Sequence, residues 1–256
     1  MRKSMYIFSI VLFFNFSQAQ PSDYYHIAGM NSWSGATMSD LGLGTTKTRT
    51  IEAANNNNEF LISWDDYYNK WYNQNITSNT LMTLTFSGGG GANSIITSGV
   101  TSGKYYTFNI DALAYSSRQA IVMETSAAPV SITSVSSYSY ISPGQDIYIS
   151  VGLSDSKSTE EKVFVRYTAD SWSSWDVAEV IGNDDNFSTG VATIPASVNA
   201  AGSTIEYYVY STTVAAEASS NHDLIALKFN NNSGSNYSYS VNSQNYSLMV
   251  GIIKHW

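Results

Sequence analysis

The residues best suited to binding a ligand form a dense aromatic cluster in the stretch Glu59 to Tyr72, EFLISWDDYYNKWY. Carboxylate, amide and ammonium side chains separate its five rings, which are Trp64, Tyr67, Tyr68, Trp71 and Tyr72. No single face of a strand or helix can bury all five, so we expect some of them to be exposed. An exposed ring covers the apolar C–H face of a sugar while polar neighbours bond its hydroxyls. The cluster therefore predicts a carbohydrate site; the alternative is that two or three rings plug the end of a sandwich core.

A second candidate is the pair Trp172 and Trp175, whose indoles flank two serines. One turn would present both rings side by side, and the alternative is that one ring is buried and the other exposed. The run Asn230, Asn231 and Asn232 supplies amide donors and acceptors, with an ordinary asparagine turn as the alternative. Stacking of one ring on a sugar contributes on the order of 1 kcal/mol or more, so each site would bind with modest affinity. Two modules on one chain would gain by effective concentration on a repeating polymer.

Catalytic and metal chemistry find little support in the sequence. Glycoside hydrolysis needs two positioned carboxylates, and we expect the side chains of the adjacent pairs Asp65–Asp66 and Asp184–Asp185 to diverge. The three histidines are scattered, and neither a Gly-x-Ser-x-Gly elbow nor a His-Glu-x-x-His helix is present. Calcium held by the second aspartate pair is a minor alternative. We expect no catalytic residue, no metal, no cofactor and no enzyme activity.

The elements that position these residues are predicted to be strands. Aromatics make up 14% and charged residues 12% of the 256 residues, with 19 Tyr and 17 Gly, which favours strands and turns over helices. In EFLIS, Phe60 and Ile62 share one face, the period of two of a strand. Strands are predicted at 24–29, 46–53, 59–63, 81–86, 104–111, 120–125, 146–154, 162–168, 191–195, 204–211 and 236–241. We expect Trp33 to lie in a core, and the strand face that carries Tyr208 and Tyr210 to stay in water.

The division into domains follows from the turn residues. Short strands separated by glycine and asparagine turns are typical of sandwiches. Pro129 follows two alanines and marks a boundary, because proline fixes the backbone without donating a hydrogen bond. We predict a first domain over residues 20–128, a second over 129–242 and an unassigned tail over 243–256.

The N-terminus predicts export. Arg2 and Lys3 precede an apolar run from Met5 to Phe16, and Ala19 offers a small residue for cleavage. The run is too short for a comfortable membrane span, so we expect residues 1–19 to be a cleaved signal peptide and the protein not to span the membrane. Loss of two positive charges takes the formal charge from −8 to −10, and no basic patch is visible, so nucleic acid is not an expected partner. The chain has no cysteine and hence no disulfide.

Residues 24 to 111 resemble the starch-binding domains of outer-membrane starch-utilisation proteins and their glycogen-binding-like relatives. IAGMNSW is similar to that family's G-x-x-N-G-W opening, and EFLISW with DDYYNKW is similar to its FKF…W segment. GGGGANSIITSGVTSGKYYTFNID is similar to its Gly-Gly-Ala-Asn run and G-x-Y strand. Ser32 stands where the family has glycine. The resemblance points to Trp64, Lys70 and Trp71 as carbohydrate-binding residues.

Residues 130 to 241 resemble the immunoglobulin-like starch-binding modules of bacterial amylases. VFVRYTADSWSSWDVAEV is similar to that family's strand with a paired-tryptophan turn, and IPASVNAAGSTIEYYVYS to the strand before its second loop. LKFNNNSGSNYSYSV is similar to its asparagine-rich closing motif. The resemblance implies that Trp172 and Trp175 stack on glucose and that Asn230, Asn231 and Asn232 help to shape the site.

These patterns together predict an all-β chain with two immunoglobulin-like antiparallel β-sandwich domains in tandem after the signal peptide. We expect an exported, non-catalytic protein, secreted or at the cell surface or in the periplasm, whose partner is a polysaccharide, with α-glucan such as starch favoured. The alternative is that these are accessory or spacer modules at the front end of a larger secreted hydrolase or surface protein. Catalysis by the chain itself is the weakest of the three hypotheses, and no oligomeric state is predicted.

Overall fold

The computed structural model describes residues 24–64, 69–71, 75–85, 94–112, 117–215 and 222–243. These residues form twenty strands and two short 3-10 turns, without an α-helix, so the all-β prediction is confirmed. In this part of the chain no helix has the length and apolar character to cross a membrane. The predicted signal peptide, the glycine run 88–91 and the tail beyond residue 243 lie outside the described residues.

The first half of the chain forms two sheets. Its strands are β1 (Tyr24–Ala28), β2 (Gly35–Thr37), β3 (Ser39–Asp40), β4 (Thr46–Glu52), β5 (Glu59–Trp64), β6 (Asn69–Trp71), β7 (Asn75–Ile76), β8 (Met82–Thr85), β9 (Ile95–Thr97), β10 (Tyr105–Asp111) and β11 (Ser117–Thr125). A 3-10 turn, Gly29–Asn31, follows β1. One sheet has the order β2-β1-β5-β9-β7, with β6 paired to β5, and the other has the order β3-β4-β10-β11-β8. The strand pairs are antiparallel apart from β7 with β9.

The second half also forms two sheets. Its strands are β12 (Ile132–Val135), β13 (Tyr140–Ile141), β14 (Ile147–Leu153), β15 (Lys162–Thr168), β16 (Asp176–Glu179), β17 (Thr189–Ile194), β18 (Thr204–Thr212), β19 (Lys228–Asn230) and β20 (Tyr237–Val241). A 3-10 turn, Ala196–Val198, follows β17. A three-stranded sheet has the order β12-β14-β17, and a six-stranded sheet has the order β13-β20-β18-β15-β16, with β19 paired to β18.

Each half packs its inward side chains into a core of its own. Alternation produces these cores: β14 buries Ile147, Ile149, Val151 and Leu153 and leaves Tyr148 exposed between them. The first core draws only on residues between Tyr24 and Val122, including Tyr106, Phe108 and Phe60. The second draws only on residues between Val130 and Val241, including Tyr207, Tyr239 and Ile194. The chain thus has a β-sandwich-like, layered build in each half.

A third apolar cluster joins the two halves and corrects one prediction. It contains Leu43, Ile121, Met123, Phe164, Tyr208, Tyr210, Ile225, Ala226 and Leu227. The face of β18 that we expected to stay in water is therefore buried, with Tyr208 4% and Tyr210 0% exposed. The prediction was wrong because residues 222–227, here called the strap, and the five-stranded sheet of the first half cover that face.

Hydrogen bonds hold the strap on both sides. The buried Asn109 side chain on β10 donates through Nδ2 to the carbonyls of Leu224, at 2.8 Å, and Ala226, at 2.7 Å. On the other side, the Leu227 amide donates to the carbonyl of Ser211 on β18, at 2.7 Å. The strap thus supplies backbone acceptors to the first half and apolar side chains to the third apolar cluster, here called the joint cluster. Asn109 is the residue of the first half that fixes its position.

We expect Asn109→Leu to lower the free energy of unfolding by about 1–4 kcal/mol. Leucine has a similar size but cannot donate, so two buried carbonyls lose their partner. Equilibrium unfolding in urea measures the change, with Asn75→Leu, at an exposed strand position, as the matched control that should stay within about 0.5 kcal/mol of wild type. Equal stability of the two variants would contradict the role assigned to Asn109.

Candidate functional site

The predicted tryptophan pair lies in the loop between β15 and β16, where a tight turn holds it. In the turn from Asp170 to Ser173, the Ser173 amide donates to the Asp170 carbonyl at 3.4 Å, and Ser171 and Trp172 have positive φ values of 55° and 67°. Both Ser174 and Thr168 donate to the Asp170 carboxylate. These hydrogen bonds, those from Ser174 above all, lower the pKa of Asp170. The loop is therefore a well-ordered platform for its two indoles.

Arg166 on β15 brings the two indoles together. Its Cζ lies 4.6 Å from the ring centroid of Trp175, 5.3 Å from that of Trp172 and 5.8 Å from that of Tyr208. Its Nη1 donates to the Tyr208 hydroxyl at 2.9 Å. A guanidinium stacks well on aromatic faces, so these contacts fix the orientation of both half-buried indoles. Both rings of the predicted pair therefore contact Arg166, whose guanidinium occupies part of their ring surface.

His222, the first residue of the strap, packs on the other side of this group. Its ring meets that of Trp175 edge-on, with the centroids 4.1 Å apart, and its Nδ1 lies 3.4 Å from the Tyr210 hydroxyl. The Nε2 atom is buried and has no hydrogen-bond partner among the described residues. Burial, assisted by the charge of Arg166, lowers the pKa of His222 to about 4. The imidazole is therefore neutral at physiological pH.

Asp223 places a carboxylate beside the same group, against the first half of the chain. Burial raises its pKa, and the charge of Arg166 acts in the opposite direction. Gly44 in the loop before β4 has a φ of +57°, and a Cβ on it would lie 2.2 Å from Oδ2 of Asp223. Only glycine fits this left-handed position without moving the carboxylate. The tryptophan pair is thus joined, through Arg166 and the strap, to the contact between the halves.

The asparagine run lies apart from the tryptophan pair. Asn230 ends β19, which pairs with β18 on the edge opposite to β15, so the sheet separates the two features. The Asn230 side chain donates to the Ile132 carbonyl at 3.0 Å and accepts from the Tyr237 hydroxyl at 2.9 Å. Asn231 accepts from the Gly234 amide, and Asn232 donates to the Asn236 carbonyl. These amides close their own turn, which is the ordinary alternative that the sequence left open.

For the first half, the structure gives the backbone positions of the predicted site. Trp64 pairs with Asn69 across β5 and β6, Lys70 with Ser63 and Trp71 with Ile62. The two strands therefore place all three predicted residues near one end of the six-stranded sheet. The side chains of Trp64, Lys70 and Trp71, and residues 65–68 with the first aspartate pair, lie outside what the structure describes.

Trp33 corrects a second prediction, because its side chain is 44% exposed and does not lie in a core. It sits in a turn from Asn31 to Ser34 in which the Ser34 amide donates to the Asn31 carbonyl at 3.3 Å. Ser32 and Trp33 have positive φ values of 60° and 61°, like Ser171 and Trp172. The turn therefore carries a partly exposed indole, with Asn31 and Ser34 close to it along the chain.

Sequence reasoning missed Arg166, His222 and the exposure of Trp33. One signal was available: Asn31-Ser32-Trp33-Ser34 and Asp170-Ser171-Trp172-Ser173 share a pattern, and both form the same turn. Arg166 and His222 carry no such signal, since their partners come from distant strands. Asp184 and Asp185 are both exposed, and the described residues contain no group of three or more histidine or acidic side chains that could hold a metal ion.

We expect His222→Phe to weaken the pH dependence of stability. The folded protein keeps His222 neutral down to about pH 4, whereas the unfolded chain protonates it near 6.5, so wild type loses stability as pH falls through this window. His222 contributes up to about 3 kcal/mol to this loss of stability. Phenylalanine keeps a ring against Trp175 and cannot ionise.

Urea unfolding of wild type and His222→Phe at a series of pH values measures this effect, and the two proteins are compared first at neutral pH. The variant should retain the pH dependence that comes from His26, because burial, with the charge of Arg49 adding to it, also lowers the pKa of His26. It should also retain the contribution of Asp223, which has the opposite sign because burial raises the pKa of that carboxyl. An unchanged slope between pH 6.5 and 4 would show that His222 is not a source of the effect.

Comparison of the chain with models of known protein families, with characterised proteins and with solved structures gives no match. The two resemblances seen in the sequence, and the site residues that they imply, stay predictions.

Proposed function

We propose that the protein is an exported, non-catalytic carbohydrate-binding protein that recognises a neutral glycan, with α-glucan such as starch favoured. Binding would use aromatic rings for the C–H faces of the sugar and neighbouring amides and hydroxyls for its hydroxyl groups. The proposal includes two immunoglobulin-like sandwich domains in tandem and cleavage of residues 1–19 during export. The observation that carries it is the exposed indole of Trp33 on its left-handed turn.

The turn of Trp33 has a conformational cost. A non-glycine residue in the left-handed region costs about 1–2 kcal/mol, and this turn has two in succession. Sparsely populated backbone conformations of this kind cluster at ligand sites, where the surrounding structure maintains them. Here the surroundings include Arg49, which donates to the Ser34 carbonyl at 3.2 Å, and Asn31, whose Nδ2 donates to the same oxygen at 2.9 Å. A tryptophan held in solvent at such a cost is consistent with stacking on a ligand.

The second half also exposes a ring on the open face of a sheet, which supports binding by more than one module. Tyr148 on β14 is 58% exposed. It lies in a strand of a rigid scaffold, so little conformational entropy is lost when a ligand stacks on it. Two modules that each bind weakly hold a repeating polymer more tightly than either alone.

A second candidate function, rigid accessory or spacer modules of a larger exported protein, is favoured by the tryptophan pair. Both indoles contact Arg166, and Trp175 also contacts His222 of the strap. This arrangement stabilises the contact between the halves, as a spacer requires. In a spacer, the exposed ring of Trp33 would have no ligand.

Trp33→Gly separates these candidates, because it removes the indole and suits the positive φ. We expect a variant that still folds, with an affinity for soluble starch reduced about fivefold or more. Affinity electrophoresis in starch-containing gels measures the binding, and an assay for reducing sugars tests for hydrolysis.

Ser32→Gly is the matched control for this experiment, since it relieves a neighbouring left-handed residue and keeps the ring. It should be retarded like wild type. Wild-type protein that starch does not retard would refute the proposed function and leave the spacer hypothesis. Equal retardation of the Trp33→Gly variant and wild type would refute the role of Trp33.

A further inference from the structure

The outward face of the three-stranded sheet forms an open groove that is separate from both tryptophan turns. Its volume is about 600 Å³, within the range of ~300–1,000 Å³ that is common for ligand clefts. Side chains or backbone from all three strands and from the segment 181–183 line it. Within the described part of the chain, none of the lining residues carries a charge. A neutral lining on a chain with a formal charge of −8 favours a neutral ligand.

The floor of the groove follows the alternation of β14. Ser150 and Gly152 face outward, and Tyr148 continues the same row beyond the groove. Opposite them on β17 lie Val191 and Thr189, paired with Ser150 and Gly152. The row from Tyr148 to Gly152 is about 13 Å long at the usual rise per residue. It offers a ring at Tyr148, a hydroxyl at Ser150 and, over Gly152, the hydroxyl of Ser134 in succession, which suits an extended chain of similar units.

The walls of the groove combine hydroxyl, amide and aliphatic groups. On one side, the Ser134 Oγ lies so close to Gly152 that a Cβ there would be 2.4 Å from it, so glycine leaves room for this hydroxyl at the end of the groove. On the other side, Ile181 and Val191 exchange two backbone hydrogen bonds of 2.9 Å, which fix the segment that carries Asn183. Ile181 and Val191 are both exposed apolar side chains. The groove can therefore contact C–H groups and bond hydroxyls along its length.

We propose that this groove binds a neutral oligosaccharide chain that lies along β14, with Tyr148 stacking on one sugar and Ser150 and Asn183 bonding hydroxyl groups. The inference rests on the proposed function and assigns it a second site. An extended peptide is a poorer occupant, because peptides that add to sheets need free backbone groups, and β14 is paired on both sides with β12 and β17.

Two variants test the site from opposite directions. Tyr148→Ala removes the stacking ring, and Ser150→Tyr fills the floor of the groove. Each has a matched control at an exposed position of the other sheet: Tyr140→Ala for the first and Ser238→Tyr for the second. Isothermal titration with maltoheptaose measures binding, and thermal unfolding shows that each variant is folded.

We expect Tyr148→Ala and Ser150→Tyr to raise the Kd of the groove site about fivefold or more, and so to lower the number of maltoheptaose sites measured per chain, and both controls to stay within about twofold of wild type. If wild type binds and both groove variants bind like wild type, the groove is refuted while the proposed function stands. If wild type binds neither maltoheptaose nor soluble starch, both are refuted. If Ser150→Tyr changes only self-association in sedimentation, the groove is a contact between copies of the chain and the glycan assignment is refuted.

Discussion

Burial of β18 on both faces is the constraint on which the rest of the structure depends. One face carries Ile205, Tyr207 and Val209 into the core of the second half, and the other packs Tyr208 and Tyr210 against the strap and the first half. Burial of large rings is strongly favourable, so this arrangement joins the two halves through a continuous apolar layer. Buried polar groups within the layer need hydrogen-bond partners, and Nδ2 of Asn109 and the strap carbonyls provide them for each other.

The same constraint decides which aromatic residues remain available to a ligand. Near the contact between the halves, the half-buried Arg166 has its guanidinium against Trp172, Trp175 and Tyr208, which compensates for its partial loss of water. These rings therefore stabilise the protein even if a sugar also touches them. Away from the joint, no comparable partner covers Trp33 among the described residues, and β14 turns Tyr148 outward on a sheet with an open face. Rings close to the contact between the halves thus stabilise the protein, whereas Trp33 and Tyr148, away from that contact, are exposed.

Much of the fold could be predicted because it depends on local alternation. The pattern KVFVRYT predicted β15 at 162–168, and the strand is Lys162–Thr168. The burial of a strand face by a distant segment could not be predicted in this way. The tyrosines of β18 are buried by the strap, which begins ten residues after the strand ends. The prediction for Trp33 was wrong for a different reason: its turn has a positive φ at two residues that are not glycine, a conformation that the strand pattern before it does not indicate. The groove could not be predicted from the sequence either, because it depends on Ser134 of β12 lying opposite Gly152 of β14.

A rigid joint has consequences for binding to a polymer. With a flexible linker, two weak sites find neighbouring stretches of one chain over a broad range of spacings. Here the joint cluster and the Asn109 bonds hold one half against the other, so the two proposed sites, the turn of Trp33 and the groove of β14, lie at a set separation. If both bind glycan as proposed, they act together only on a polymer whose shape brings two segments to that separation. Rigidity therefore gives less tolerance than a linker and more selectivity, because polymers of the same sugar with different helical shapes would be distinguished by geometry.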